Sequence, residues 1–226
     1  SHAIIGGYGG AAIMKAGFGA LIISGYTKVL IFIFLAPIIG FVMAGLFSVV
    51  TLWIVRNMPP RIVDKNFRRL QLLSAAIYSL SHGSNDAQKT IGIITIVLFT
   101  NKLLGETFYV PFWVIILSHT VIALGTMAGG WKVIKTLGMR VTKLSPFGGF
   151  SAETAAGLTI IGATIGGIPV STTHTITGSI IGVGSIKGFS AVRWGVAKNI
   201  LWAWVLTIPL SALFAMITYL IVTNML

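Results

Sequence analysis

The chain has 226 residues, of which 55% are hydrophobic and 9% charged, and its mean hydropathy is +0.95. This composition excludes an ordinary soluble domain and is typical of a protein embedded in a bilayer. The absence of cysteine excludes disulfides, thiolate nucleophiles and iron–sulfur sites. The net charge of +12 comes from basic residues in short loops between apolar runs, so we expect it to set membrane topology and expect no nucleic-acid partner.

Apolar runs long enough to cross about 30 Å of hydrocarbon, alone or with their neighbours, occur at residues 29–55, 91–100, 110–125 and 201–222. The first run is followed by a loop at 56–69 that carries five basic residues against one acid. The positive-inside rule places this loop in the cytoplasm. Its two prolines predict that no helix runs through it.

A polar segment, SHGSNDAQKT at 81–90, interrupts an apolar stretch of about thirty residues. We expect Gly83, with the adjacent Asn85 and Asp86, to unwind the helix there and to free backbone carbonyls for a cation. Two alternatives stay open. In a soluble protein this segment would form an ordinary turn, and Lys89, about one helical turn from Asp86, would pair with it and make both residues structural.

Residues 147–187 predict a re-entrant helical hairpin. Basic residues flank it on both sides, and each arm, at about 15 to 18 Gly-rich residues, is short for a full crossing. The tip, PVSTTH at 169–174, precedes a helix expected to begin near Thr175. The N–H groups and positive dipole end of that helix would bind an anion, and a purely structural helix cap is the alternative.

Two segments of the chain are similar at a constant spacing. SHAIIGGYGGAAIMK at 1–15 aligns without gaps on THTITGSIIGVGSIK at 173–187. Duplication explains the shared positions better than chance recurrence of small residues does. Because the chain starts inside a motif that is complete further along, we expect it to be the C-terminal portion of a longer protein. The same offset pairs His2 with His174, Gly6 with Gly178, Gly10 with Gly182, Lys15 with Lys187 and Pro37 with Pro209.

The charge pattern gives the two copies opposite orientations, because the helix at 27–55 ends at the cytoplasmic loop whereas its counterpart at 199–226 starts from the cytoplasmic side. Inverted repeats are typical of secondary transporters that bind substrate near the midplane. The predicted fold is all-α and transmembrane, an inverted-repeat secondary transporter with re-entrant helical hairpins. Its predicted parts are the tail of a first repeat at 1–55, a basic cytoplasmic loop at 56–69 and a second repeat at 70–226.

No residue pattern predicts an enzyme. Thr173 and His174 are adjacent, so on a helix they point about 100° apart and cannot form a hydrolytic dyad. His82 and His119 stand in apolar surroundings and receive no catalytic role. We expect Glu153 in the first turn of its helix, where the dipole favours a carboxylate, in a structural role.

The motifs at 83–88 (GSNDAQ), 169–175 (PVSTTHT) and 1–7 (SHAIIGG) resemble those of the inorganic phosphate transporter (PiT) family, in its bacterial form. Members carry a Gly-x-Asn-Asp motif and a Ser/Thr-rich tip before His in each of two inverted repeats. The resemblance covers essentially the whole chain, but the Gly-x-Asn-Asp of the first repeat is absent. By this resemblance the phosphate-binding residues would be Asp86, Ser171, Thr172, Thr173 and Ser1. The coupling cation would contact Asn85, Asp86, Ser81, Gln88 and Thr173, with Na⁺ at Asn85 and Asp86.

The expected function is symport of inorganic phosphate with Na⁺ or H⁺ by alternating access, without any other cofactor. Asp86 would repel the anion in a low dielectric until a cation or proton arrives, which would couple the two fluxes. The alternatives are a symporter of another tetrahedral oxyanion such as sulfate, and a membrane scaffold subunit. The expected partners are phosphate, membrane lipid, the missing N-terminal half and further copies in a homo-oligomer. The expected location is the inner membrane of a bacterial or archaeal cell.

Overall fold

A computed structural model describes residues 2–225 and shows an all-α fold, with no strand in that part of the chain. The predicted all-α class is confirmed. A π-helical turn, Thr136–Val141, extends the fourth helix. The α-helices are α1 (His2–Ala16), α2 (Ile23–Val55), α3 (Pro60–Thr100), α4 (Phe112–Lys135), α5 (Pro146–Ile165), α6 (Thr172–Ile186) and α7 (Trp194–Met225).

Three of the described helices are long and apolar enough to cross a membrane: α2, α4 with its π-helical turn, and α7. Their outward faces carry large hydrophobic side chains, among them Trp53, Trp113 and Phe214, that are more than half exposed. Lipid tails are as apolar as these side chains, so a bilayer covers them without any need for protein contacts. This surface identifies the chain as an integral membrane protein.

The basic segment at 56–69 is mostly helical, which corrects the predicted loop. Only residues 56–59 lie outside a helix, and α3 begins at Pro60. Proline is tolerated in the first turn because its missing N–H would have no intrahelical partner there. Asp64 and Arg68 add an ion pair of 2.9 Å at i,i+4 spacing.

Helices α5 and α6 form a hairpin. Ser145 caps α5 by accepting a hydrogen bond from the backbone N–H of Gly148, and Gly167 takes a positive φ of 63° in the turn. With this start, α5 has 20 residues, more than the 15 to 18 predicted, whereas α6 has 15. Helix α6 is almost wholly buried between α2 and α5, where small side chains allow close packing.

The hairpin tip lies part-way along α3. Ser74 contacts Glu153 and Asn85 contacts Thr164, both at a separation of 79 residues, so α3 and α5 run in the same direction. Past Asn85, α3 continues to Thr100, roughly 22 Å further at 1.5 Å per residue. Helix α5 has already ended at that level, and this is the geometry of a re-entrant hairpin whose tip is covered by longer helices.

Each repeated segment packs on the long helix that follows the other one: α1 packs on α7, and α6 packs on α2. A Cβ built at Gly6 would collide with Ile208 of α7, and one at Gly178 would collide with Pro37 of α2. Since Gly6 and Gly178 occupy the same position in the two repeats, each short helix uses its glycine face to receive the long helix of the other repeat. The absent side chains are what permit this backbone approach.

His2 and His174 meet where the two repeats touch. Their rings stack with centroids 4.3 Å apart, and Trp204 stacks on the other face of His174 at 3.6 Å. Proline has no N–H, so Pro37 leaves the carbonyl of Ile33 without its usual helical donor. The Nδ1 atom of His174 lies 3.3 Å from that carbonyl oxygen and, when protonated, donates to it. His174 therefore joins α6 to α2 through this contact.

Candidate functional site at the hairpin tip

The polar segment at 81–90 is an uninterrupted part of α3, so the predicted unwinding at Gly83 is wrong. A glycine inside a helix costs only about 1 kcal/mol relative to alanine. Hydrogen bonds between this stretch and the hairpin, of Asn85 with Thr164 and of Asp86 with Thr172, offset that cost. The backbone carbonyls therefore remain in the helical hydrogen-bond ladder, and any ligand at this level must be bound by side chains or by the tip.

Asp86 is the centre of the site. Its carboxylate lies 3.1 Å from Nζ of Lys89 and 3.0 Å from Nε2 of His82, and it accepts a hydrogen bond of 3.2 Å from the hydroxyl of Thr172. The first two partners come from its own helix at i,i+3 and i,i+4 spacing, where side chains share a face. Thr172 comes from the tip, so Asp86 joins α3 to the hairpin. About one third of the Asp86 side chain is exposed, at 33%.

Asn85 makes a second connection between α3 and the hairpin. Its amide nitrogen donates to the hydroxyl of Thr164 at 2.9 Å, and its amide oxygen accepts from Nζ of Lys89 at 2.7 Å. Asn85 is buried at 5% exposure. Because donor and acceptor are both used, the orientation of the amide is determined by its partners.

The other two residues of α3 predicted for the coupling cation, Ser81 and Gln88, lie away from Asp86. The hydroxyl of Ser81 donates to the carbonyl of Tyr78 at 2.9 Å, and Ser81 faces Gly157 of α5. Gln88 is exposed. Of the predicted cation set on α3, only Asn85 and Asp86 are brought together with the hairpin.

The three hydroxyl residues of the tip have different positions. Ser171 caps α6, since its hydroxyl accepts from the backbone N–H of His174 at 3.4 Å. Thr172 is buried against Asp86, whereas Thr173 is exposed. Helix α6 thus begins at Thr172, three residues earlier than predicted, and the first N–H groups of the helix lack intrahelical partners. Ser1, the remaining predicted phosphate ligand, lies outside the described residues.

His82 and Lys89 are the site residues that the sequence interpretation undervalued. His82 is not in apolar surroundings, because it contacts the Asp86 carboxylate. The Asp86–Lys89 pair was considered only as an alternative, and its geometry is present. The i,i+4 and i,i+3 spacings in an unbroken helix were the signal, and the expected unwinding at Gly83 obscured it.

Glu153 also departs from its predicted place. Helix α5 starts at Pro146, so Glu153 lies two turns inside it rather than in the first turn. Its carboxylate accepts a hydrogen bond of 2.6 Å from the hydroxyl of Ser74 on α3. This short contact provides a charge-assisted link between α3 and α5 below the tip.

Comparisons with known proteins agree with this architecture. The phosphate transporter family matches residues 1–215. A Rhizobium meliloti protein named "Probable low-affinity inorganic phosphate transporter" is 52% identical over 97% of this chain, and a Bacillus subtilis protein of the same name is 46% identical over 98%. The chain spans 66% of the length of each of these relatives, and 54% of a Mycobacterium leprae relative that is 39% identical.

A solved structure titled "The sodium-dependent phosphate transporter" has a TM-score of 0.83 against this chain. The similarity covers 100% of this chain and 73% of that one, and the sequences are 22% identical. At that identity the likeness shows a shared fold. The family match and the named relatives confirm the resemblance that the Gly-x-Asn-Asp and Ser/Thr-His motifs predict, and those relatives are named as transporters. The chain belongs to the phosphate transporter family.

Proposed function

We propose that the full-length protein carries inorganic phosphate across the inner membrane of a bacterial or archaeal cell together with a cation, Na⁺ or H⁺, by alternating access. One observation carries the proposal: the hydroxyl of Thr172 bonds the Asp86 carboxylate, so the polar motif of α3 and the hairpin tip form one site. Membership of a phosphate transporter family supports phosphate as the substrate.

Phosphate would bind at the N-terminus of α6. The first-turn N–H groups and the positive end of the helix dipole favour an anion, and exposed Thr173 adds a hydroxyl. Ser171 would contribute by capping the helix and Thr172 by holding Asp86 in place. Ser1 is the predicted contribution of the first repeat to the same site.

Coupling would follow from the carboxylate of Asp86. An anion close to a carboxylate in a low dielectric is repelled, and the repulsion falls when a cation or proton neutralises the carboxylate. Asn85 and Asp86 lie side by side and are the pair proposed for the coupling ion. Ser81 and Gln88 would not contact it in this arrangement.

The remaining organisation is also a proposal. The tail of the first repeat would occupy 1–55 and the second repeat 70–226, joined by the basic segment 56–69 on the cytoplasmic side. The relatives are longer than this chain, and their additional length is proposed to supply the rest of the first repeat. Homo-oligomerisation through the lipid-facing surfaces is likewise a proposal.

Uptake of radiolabelled phosphate by the full-length protein tests the function. The parent should accumulate phosphate, and Asp86→Asn should reduce uptake at least tenfold, because the coupling ion loses its charged ligand and its gradient no longer drives uptake. Asp64→Asn is a matched control, since Asp64 is exposed and pairs only at the surface with Arg68.

Other outcomes would overturn the proposal. Unchanged uptake in Asp86→Asn would exclude a role for the carboxylate. Inhibition by excess sulfate as effective as that by phosphate would favour a general oxyanion symporter. A scaffold subunit would tolerate alanine at Asn85, Asp86 and Thr173 together.

A further inference from the structure

Lys89 has the surroundings of a bound cation. Its Nζ atom donates to the amide oxygen of Asn85 at 2.7 Å, the carboxylate of Asp86 at 3.1 Å and the backbone carbonyl of Val170 at 3.0 Å. Amide, carboxylate and carbonyl oxygens are the ligands that hard cations take in proteins. Two of these oxygens belong to α3 and the third to the hairpin tip.

An ammonium group has three N–H donors, and three protein oxygens within the described residues accept from Lys89. These contacts turn the ammonium toward α3 and the tip. The Lys89 side chain is 20% exposed, and a charge so far withdrawn from solvent needs the oxygen partners that it has.

The sequence makes this arrangement local and compact. In an unbroken α3, Lys89 is three residues after Asp86 and four after Asn85, so all three lie on one face. Val170 immediately precedes Ser171, the cap of α6, so the third oxygen lies at the entrance to the proposed anion site. The ammonium consequently lies between the carboxylate of Asp86 and the carbonyl of Val170, beside the hydrogen bond from Thr172 to Asp86.

We propose that Lys89 is a tethered cation. Its ammonium fills the place that Na⁺ would take between Asp86, Asn85 and the tip, in the half of the transport site that this chain contributes. The inference rests on the proposed phosphate transport. With Lys89 in place, the Asp86 carboxylate is already balanced by a positive charge, with His82 on its other oxygen at 3.0 Å. This half of the site then accepts phosphate without an added Na⁺ ion. The ammonium takes over the role proposed above for a coupling ion at Asn85 and Asp86, and a coupling Na⁺ would bind elsewhere in the full-length protein.

The test compares full-length parent protein with Lys89→Asn in proteoliposomes, with NaCl or choline chloride on both sides. Asparagine removes the ammonium and offers an amide oxygen as a ligand. The ratio of phosphate uptake in NaCl to that in choline chloride should rise at least fivefold in Lys89→Asn relative to the parent. Lys102→Asn is the matched control, because Lys102 is exposed and asparagine tolerates its positive φ of 60°.

A second measurement records binding without transport. Relative to choline chloride, NaCl should raise the melting temperature of detergent-purified Lys89→Asn more than it raises that of the parent, since a ligand that binds the folded state stabilises it. An equal NaCl-to-choline uptake ratio in parent and variant, or an equal melting shift, would overturn the inference. A parent that takes up no phosphate would instead refute the proposed function, and the melting shift alone would then decide the role of Lys89.

Discussion

Helices α1 and α6 occupy equivalent places in the two repeats and have the same length of 15 residues, yet their surroundings differ. Helix α6 is buried along most of its length between α2 and α5, whereas α1 packs mainly on α7 and buries only four residues. Among the described residues, a polar cluster meets the first turn of α6, because α3 brings Asp86 to Thr172. A Ser/Thr-His motif therefore needs a polar partner segment, such as 81–90, to form the proposed site.

Substitutions at the contact between α6 and α2 should have the largest effect, which is on folding. A Cβ at Gly40 would meet the backbone and side chain of α6, while one at Gly45 on the same helix meets nothing within 4 Å. We expect Gly40→Leu to abolish most folded full-length protein, because overpacking a close backbone contact costs about 1–3 kcal/mol or more. Gly45→Leu should keep near-parental yield. The yield of monodisperse protein in detergent and the melting temperature are measured for both variants. Equal yields would show that the close contact between α2 and α6 is not needed for folding.

The link from the tip to Asp86 should give an intermediate effect. Thr172→Val keeps the side-chain shape but removes the hydroxyl that donates to the carboxylate. A hydrogen bond to a charged group contributes about 1.5–3 kcal/mol, which corresponds to roughly a tenfold or greater loss of phosphate uptake. Thr159→Val is the control, since that hydroxyl bonds only the carbonyl of Ala155 one turn back. If Thr172→Val took up phosphate as fast as the parent, the hydrogen bond from Thr172 to Asp86 would not be needed for transport.

The two stacked histidines should give the smallest effect and the most direct comparison. His174→Phe keeps a ring in the stack but loses the donor to the Ile33 carbonyl, so we expect a loss of about 1 kcal/mol in stability. His2→Phe should be neutral or slightly stabilising, because Nε2 of His2 is buried without a hydrogen-bond partner among the described residues. Melting temperatures of the full-length variants check both.

An equal loss in the two variants would contradict this expectation. It would mean that a group outside the described residues bonds His2 in the longer protein. The surroundings of α1 in the longer protein would then be more similar to those of α6 than they are in the present chain.

Composition, the repeat and the charge pattern determined much of this protein from sequence alone: its membrane class, its helical hairpin and the family to which it belongs. These patterns are local or periodic in the sequence, so they can be interpreted without knowing how the helices pack. Asp86 and Asn85 were recognised because polar residues inside an apolar stretch are costly and need a reason.

Only the tertiary structure decided how those residues are used. The helix propensity of SHGSNDAQKT at 81–90 is weak, but contacts with the hairpin keep it helical, and this aligns His82, Asp86 and Lys89 on one face. Burial likewise distinguished Thr172 from Thr173, which are adjacent and chemically identical. The role of each side chain depends on the groups that it contacts. Those groups come from residues far away in the sequence, so only the folded structure shows them.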